Sequence, residues 1–151
     1  MPDFRLCSWD NKLGGLYLGI CPGAYSSSDP QTSFRSAVWV DEIPFRLLEE
    51  SLRKRSPEYA RPYSHYGPTP VIHQEWLQIL GDWVQLRSLI LKARTPQQMI
   101  RLRFPEKRRV LMDFKRSFAK TRAKLLALLD ELMKWVRATL ANCEILTVLG
   151  I

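Results

Sequence analysis

Two histidines, His65 and His73, and three cysteines, Cys7, Cys21 and Cys143, are the side chains of this 151-residue sequence best suited to nucleophilic, acid–base or metal chemistry. The histidines stand eight residues apart on a proline-containing segment. No HExxH helix, GxSxG elbow or phosphate-cradling glycine loop accompanies them. The cysteines are widely spaced and lack the CxxC pair that seeds a zinc or redox site, so they read as small buried apolar side chains in a reducing cytosol. A histidine could still meet a distant Asp or Cys in space, but no pattern names a reaction. The expectation is a non-enzymatic protein that needs no cofactor and no metal.

Cations dominate what remains. Arg101 to Lys124 holds ten Lys or Arg and only two acids, Glu106 and Asp113, a net charge of +8 that equals the charge of the whole chain. On a heptad frame set by Leu111 and Phe114, Arg108, Lys115 and Arg122 stack seven residues apart, with Arg109 and Arg116 beside them. They sit at the amino-terminal end of a helix, where the macrodipole favours negative charge. Such a stripe can be a solvated face, can meet nucleic-acid phosphates, or can steer toward an acidic protein surface. Its aromatic residues, Phe114 and Phe118, fall on the core side and leave no ring for base stacking. A second candidate is the segment SPEYARPYSHYGPTP, Ser56 to Pro70. It carries four prolines and Tyr59, Arg61, Tyr63, His65 and Tyr66, the Tyr and Arg types that dominate binding hot spots. It reads as a recognition loop, or as a loop whose tyrosines cover the core.

The elements that must position these residues follow from periodicity. FRLCSW (Phe4 to Trp9) and GLYLGI (Gly15 to Ile20) read as a hairpin across DNKLGG, FRSAVWVD (Phe34 to Asp41) as a third strand, and the terminal CEILTVLGI as a strand covered on both faces. Pro44 to Arg55 is an amphipathic helix, and about Gln74 to Ala93 is a second, with Trp76, Ile79, Trp83, Leu86 and Ile90 at spacings of three and four. Thr95, Pro96 and Gln98 form a capping-box signature for a short helix to about Arg103. From Pro105 to about Asn142 the apolar repeat runs without Gly or Pro. One helix of that length would span roughly 57 Å, so either a projecting end or a break near the basic half is expected. The fold class is α+β: about four antiparallel strands, three amino-terminal and one carboxy-terminal, with helices on one face, the last two long ones paired antiparallel.

Composition bounds the rest. A hydrophobic content of 46% and a charged content of 25% are those of a folded globule, and 151 residues suit one domain. No stretch of 18 or more apolar residues occurs and the amino terminus lacks a basic segment followed by an apolar run, so a cytoplasmic protein with no membrane span is expected.

SWDNKLGGLYLG (Ser8 to Gly19), SFRSAVWVDEIPF (Ser33 to Phe45) and the terminal TVLGI give the chain a general pattern that resembles the small single-domain immunity proteins bacteria encode beside polymorphic or contact-dependent growth inhibition toxins. The resemblance implies a cytosolic, non-enzymatic inhibitor that binds one toxin domain and blocks its active site or substrate groove. It assigns no functional residue. Many such proteins are acidic, whereas this sequence has a pI near 9.7, which implies a toxin with an acidic surface. Nucleic-acid binding through the basic helix 105–124 is the alternative.

Overall fold

The computed structural model describes residues 2–12, 14–55, 64–102, 104 and 108–150, apart from the side chains of Arg55 and Arg108. Four strands, β1 Tyr17–Pro22, β2 Val38–Asp41, β3 Pro68–Ile72 and β4 Ile145–Leu149, form one antiparallel sheet in the order β2-β1-β4-β3. β4 is a central strand: Val148 lies opposite Ile20 of β1 on one side and Thr69 of β3 on the other. The two-residue alternation of side chains sorts the sheet into two faces. Leu18, Ile20, Val40, Val71, Leu146 and Val148 join the larger core, while Tyr17, Cys21, Trp39 and Leu149 join a smaller one behind the sheet.

The fold is α+β, as the patterning indicates, but one of the three early strands is not where the sequence suggests. Phe4 to Trp9 forms no hairpin with β1. Only Cys7 pairs, with Trp39 of β2, and the chain then makes a single 3-10 turn, Trp9–Asn11. The missing strand is β3, whose Pro68 and Pro70 are tolerated because β3 is an edge strand and both residues are exposed. The third run also starts late. Pro30–Ser36 is a helix, α1, because Asp29 caps it by accepting from the Thr32 N–H at 3.3 Å and Pro30 fills its first turn. Only Val38 onward is strand.

The helices α2 Glu42–Arg55, α3 His73–Lys92 and α4 Pro96–Arg101 arise where the periodicity places them. At the start of α4, Gln98 Oε1 accepts from the Thr95 N–H at 3.2 Å, half of the capping box expected there. Trp76 and Trp83 are fully buried, and each indole N–H finds a backbone carbonyl: Trp76 donates to Leu146 and Trp83 to Leu48. The polar edge of each ring is thus satisfied inside the core, and α3 is tied to both the sheet and α2. Behind the sheet, Gly19 leaves room for Trp39, since a Cβ at that position would stand 2.9 Å from three atoms of its ring.

The long basic helix bends at Ser117, giving α5 Arg108–Arg116 and α6 Phe118–Leu140. Ser117 Oγ donates to the Asp113 carbonyl at 2.9 Å, the same oxygen its own N–H uses at 3.1 Å. Such back-bonding loosens and bends a helix. Beyond the bend, Leu125, Leu128, Leu129, Leu132, Met133 and Val136 are buried. α6 lies antiparallel to α3: Arg122 reaches the Ala93 carbonyl, and eight residues later Asp130 meets Arg87 at 2.5 Å.

Candidate partner-binding site

α2 places Glu42, Arg46, Glu49 and Arg53 at spacings of four, three and four, hence on one face. Glu42 and Glu49 are buried, an arrangement that is costly unless each carboxylate is paired. Arg46 Nη2 bonds Glu42 Oε1 at 2.5 Å, and Arg53 Nη2 lies 3.4 Å from Glu49 Oε2. His65, from the segment that leads into β3, enters between them: Nδ1 is 2.5 Å from Glu49 Oε1 and Nε2 is 3.9 Å from Glu42 Oε1.

Two backbone features hold that segment. The Ser64 N–H donates to Thr69 Oγ1 at 3.1 Å, and Gly150 packs so closely that a Cβ there would lie 1.9 Å from the His65 carbonyl oxygen. Tyr66 then stands edge-on to the His65 ring, centroids 4.6 Å apart, and is 74% exposed. With Arg46, Arg53, Arg101 and Leu102, these residues line an open cleft of about 560 Å³. An imidazole with a carboxylate at each nitrogen is held in place, and the cleft lining contains no Ser, Thr or Cys among the described residues. Among the described residues no group of His, Cys, Asp and Glu is arranged to hold a metal ion. What the geometry offers is an exposed tyrosine beside a held imidazole, in a cleft lined also by Arg46, Arg53 and Arg101 and by the acids Glu49 and Glu50.

The basic half of the α5–α6 helix is only partly the stripe read from the sequence. Arg109, Lys115 and Arg116 are exposed on α5, as are Lys120 and Lys124 on α6, and none of the five forms an ion pair among the described residues. Arg122 is different. It is half-buried, donates to the Ala93 carbonyl and lies over the Phe118 ring at 5.7 Å, because the bend at Ser117 turns it onto the α3 side. It clamps two helices rather than extending the stripe. Arg108 lies in α5, but its side chain is outside the described residues, as are Tyr59, Arg61 and Tyr63 altogether. Of the ten side chains singled out in the sequence, His65 and Tyr66 are brought together, and Arg109, Lys115 and Arg116 form a separate exposed patch.

Several residues of the site are absent from the sequence reading. Glu42 and Glu49 look like solvated helix acids until His65 is placed between them. Arg46 and Arg53, four residues after each acid, were the available signal. On the far side of the sheet, Lys12 Nζ sits 3.5 Å from the centroid of Trp9 and 4.4 Å from that of Trp39, and burial lowers its pKa. Burial also raises the pKa of the Cys7 and Cys21 thiols, the second against hydrogen bonds from Thr147 and the backbone. No family model, curated protein or solved structure matches this chain.

Proposed function

We propose that the protein is a cytosolic, non-enzymatic immunity protein that binds a cognate bacterial toxin domain and blocks it sterically. The observation that carries this reading is Tyr66, a large aromatic ring exposed on a segment held by the His65–Glu49 contact, in a cleft that Arg46, Arg53 and Arg101 also line. Exposed anchors fixed before binding lose little conformational entropy on docking, and Tyr and Arg dominate binding hot spots. Arg109, Lys115 and Arg116 supply a positive field for steering toward an acidic toxin surface, a role that raises the association rate more than the final affinity.

The test is co-expression with the carboxy-terminal domain of the large secreted protein encoded next to this reading frame. The expected result is a domain lethal alone, harmless with this chain, and lethal again with Tyr66→Ala despite an unchanged circular dichroism spectrum. A neighbouring product that is harmless alone, or one that Tyr66→Ala still neutralises at equal potency, refutes the reading.

Nucleic-acid binding is a second reading, favoured by the five exposed cations of α5 and α6 that have no acidic partner among the described residues. It requires affinity for random duplex or single strands that falls linearly on a log-log plot against salt. Absence of retention on DNA and RNA at about 50 mM salt removes it.

A further inference from the structure

A pocket of about 150 Å³ lies at the bend between α5 and α6, where the amino-terminal segment meets the basic helix. Pro2, Phe4, Phe104, Val110 and Phe114 supply its apolar surface. The phenyl rings meet edge to face: the centroids of Phe4 and Phe104 are 6.4 Å apart at an interplanar angle of 71°, and those of Phe104 and Phe114 are 5.6 Å apart at 90°. The Asp3 N–H donates to the Asp41 carboxylate at 3.0 Å, which fixes Pro2 and Phe4 on either side of it before any ligand arrives. Ser117 and Thr121 also line the pocket, but their hydroxyl protons are already used. Ser117 Oγ donates to the Asp113 carbonyl, so it accepts from Thr121 Oγ1, 3.2 Å away. The side-chain donors left among the described lining residues are the ammonium groups of Lys120 and Lys124, one helical turn apart and with no ion pair among the described residues. Asp113, seven residues before Lys120, is the one acid that lines the pocket among the described residues.

We propose that this pocket binds a small aryl carboxylate, a single ring with its acid group one or two bonds away. An apolar recess with a few convergent polar groups is the usual form of a small-molecule site. The volume sets the size, since an apolar cavity of about 150 Å³ takes up one benzene ring. The lining sets the shape, because a ligand ring can join the edge-to-face series that Phe4, Phe104 and Phe114 begin. The charges set the head group and its direction. A carboxylate gains charge-assisted hydrogen bonds from Lys120 and Lys124 and is repelled by Asp113, so the ligand lies with its acid group toward α6. The inference is independent of the toxin reading, because the pocket shares no lining residue with the cleft around His65 and Tyr66.

Titration of the isotope-labelled full chain with phenylacetate, followed through its amide chemical shifts at low salt, tests this. Saturable shifts are expected at Phe4, Phe104, Phe114 and Thr121. Benzyl alcohol keeps the ring without the charge and hexanoate keeps the charge without the ring, and each should bind several-fold more weakly. Lys120→Gln combined with Lys124→Gln, both at exposed positions and therefore compatible with folding, should weaken phenylacetate about tenfold and leave benzyl alcohol unchanged. Asp113→Asn should tighten phenylacetate by removing the repulsion. Circular dichroism checks that both variants keep the parent fold. The absence of saturable shifts at tens of millimolar phenylacetate overturns the proposal, as do shifts centred on the His65–Tyr66 cleft. Benzyl alcohol or hexanoate binding as tightly as phenylacetate overturns it too. So does equal binding of N-acetylphenylalanine amide, which would make the pocket a receptor for the aromatic side chain of another protein.

Discussion

Gly150→Ala tests whether the His65–Tyr66 segment is held from behind. The new Cβ would stand 1.9 Å from the His65 carbonyl oxygen and 2.9 Å from the Gly67 nitrogen, and ordinary contact begins at 3.4 Å, so backbone must move by about 1.5 Å. That displacement breaks the Gly150 N–H bond to the Gly67 carbonyl, now 3.3 Å, and draws His65 away from Glu49, now 2.5 Å. A neutral backbone hydrogen bond contributes about 1 kcal/mol and one to a charged group about 1.5–3 kcal/mol. The lower chain entropy of alanine in the unfolded state returns about 0.4–1 kcal/mol. The net expectation is a loss of about 2–3 kcal/mol, or roughly 4–12 °C in Tm for a domain of this size. Gly14→Ala is the control, because its Cβ meets nothing within 4 Å. Urea unfolding of both variants, beside the toxin-neutralisation assay, separates the outcomes. Gly150→Ala should lose both stability and neutralisation, and Gly14→Ala neither. Equal stability of the two variants would refute the close approach of Gly150 and His65, and with it this hold on the segment.

Arg122→Ala is expected to destabilise the fold by about 1–3 kcal/mol, since it removes a hydrogen bond to a backbone carbonyl and packing over Phe118. Arg116→Glu should stay within about 0.5 kcal/mol of the parent while slowing association at low salt; thermal melts and stopped-flow mixing distinguish them. Asp3 is held below its usual carboxylate pKa of 3.8, first by the hydrogen bonds from Arg5. Its ionised form is therefore favoured in the folded state, so its contribution is present above 3.8 and lost as pH falls through the lower folded value. Asp3→Asn should thus lower the urea midpoint at pH 6, and by progressively less as pH falls below 3.8; a loss that does not shrink on acidification would contradict the ionic origin. Burial raises the Cys7 and Cys21 thiols, whereas Cys143 is half-buried. A thiol reagent at pH 8 should label one cysteine in the native protein and three in urea, counted by mass spectrometry.

The helices were legible because their apolar residues repeat at spacings of three and four over several turns, long enough for the pattern to exceed chance. The strand β3 was not, because PTPVI carries two prolines and reads as loop; only the sheet order, which places it at an edge, makes it admissible. The helix α1 was not read either, because the alternation of Phe34 to Asp41 reads as strand and the Asp29 cap that starts the helix sits in a turn-rich segment. The bend at Ser117 rests on one hydroxyl competing for the Asp113 carbonyl, which periodicity does not register, and it explains why Arg122 left the stripe. His65 and Tyr66 were visible as residue types. Their setting was not, since Glu49 lies sixteen residues away and a buried acid on a helix looks like an exposed one.

The central position of β4 bears on biosynthesis. Gly19 pairs with Leu149 across a separation of 130 residues, and among the described residues β3 has no strand partner other than β4. While the chain is still being made, β1 can pair only with β2, and Val71 and Thr69 wait on an unpaired strand. Assembly of the sheet is therefore deferred until synthesis has passed Leu149, and the long closure it demands belongs to the slow end of folding. Until then the apolar faces of α2 and α3 lack part of the surface they cover, and transiently exposed apolar faces of that kind are where chains aggregate.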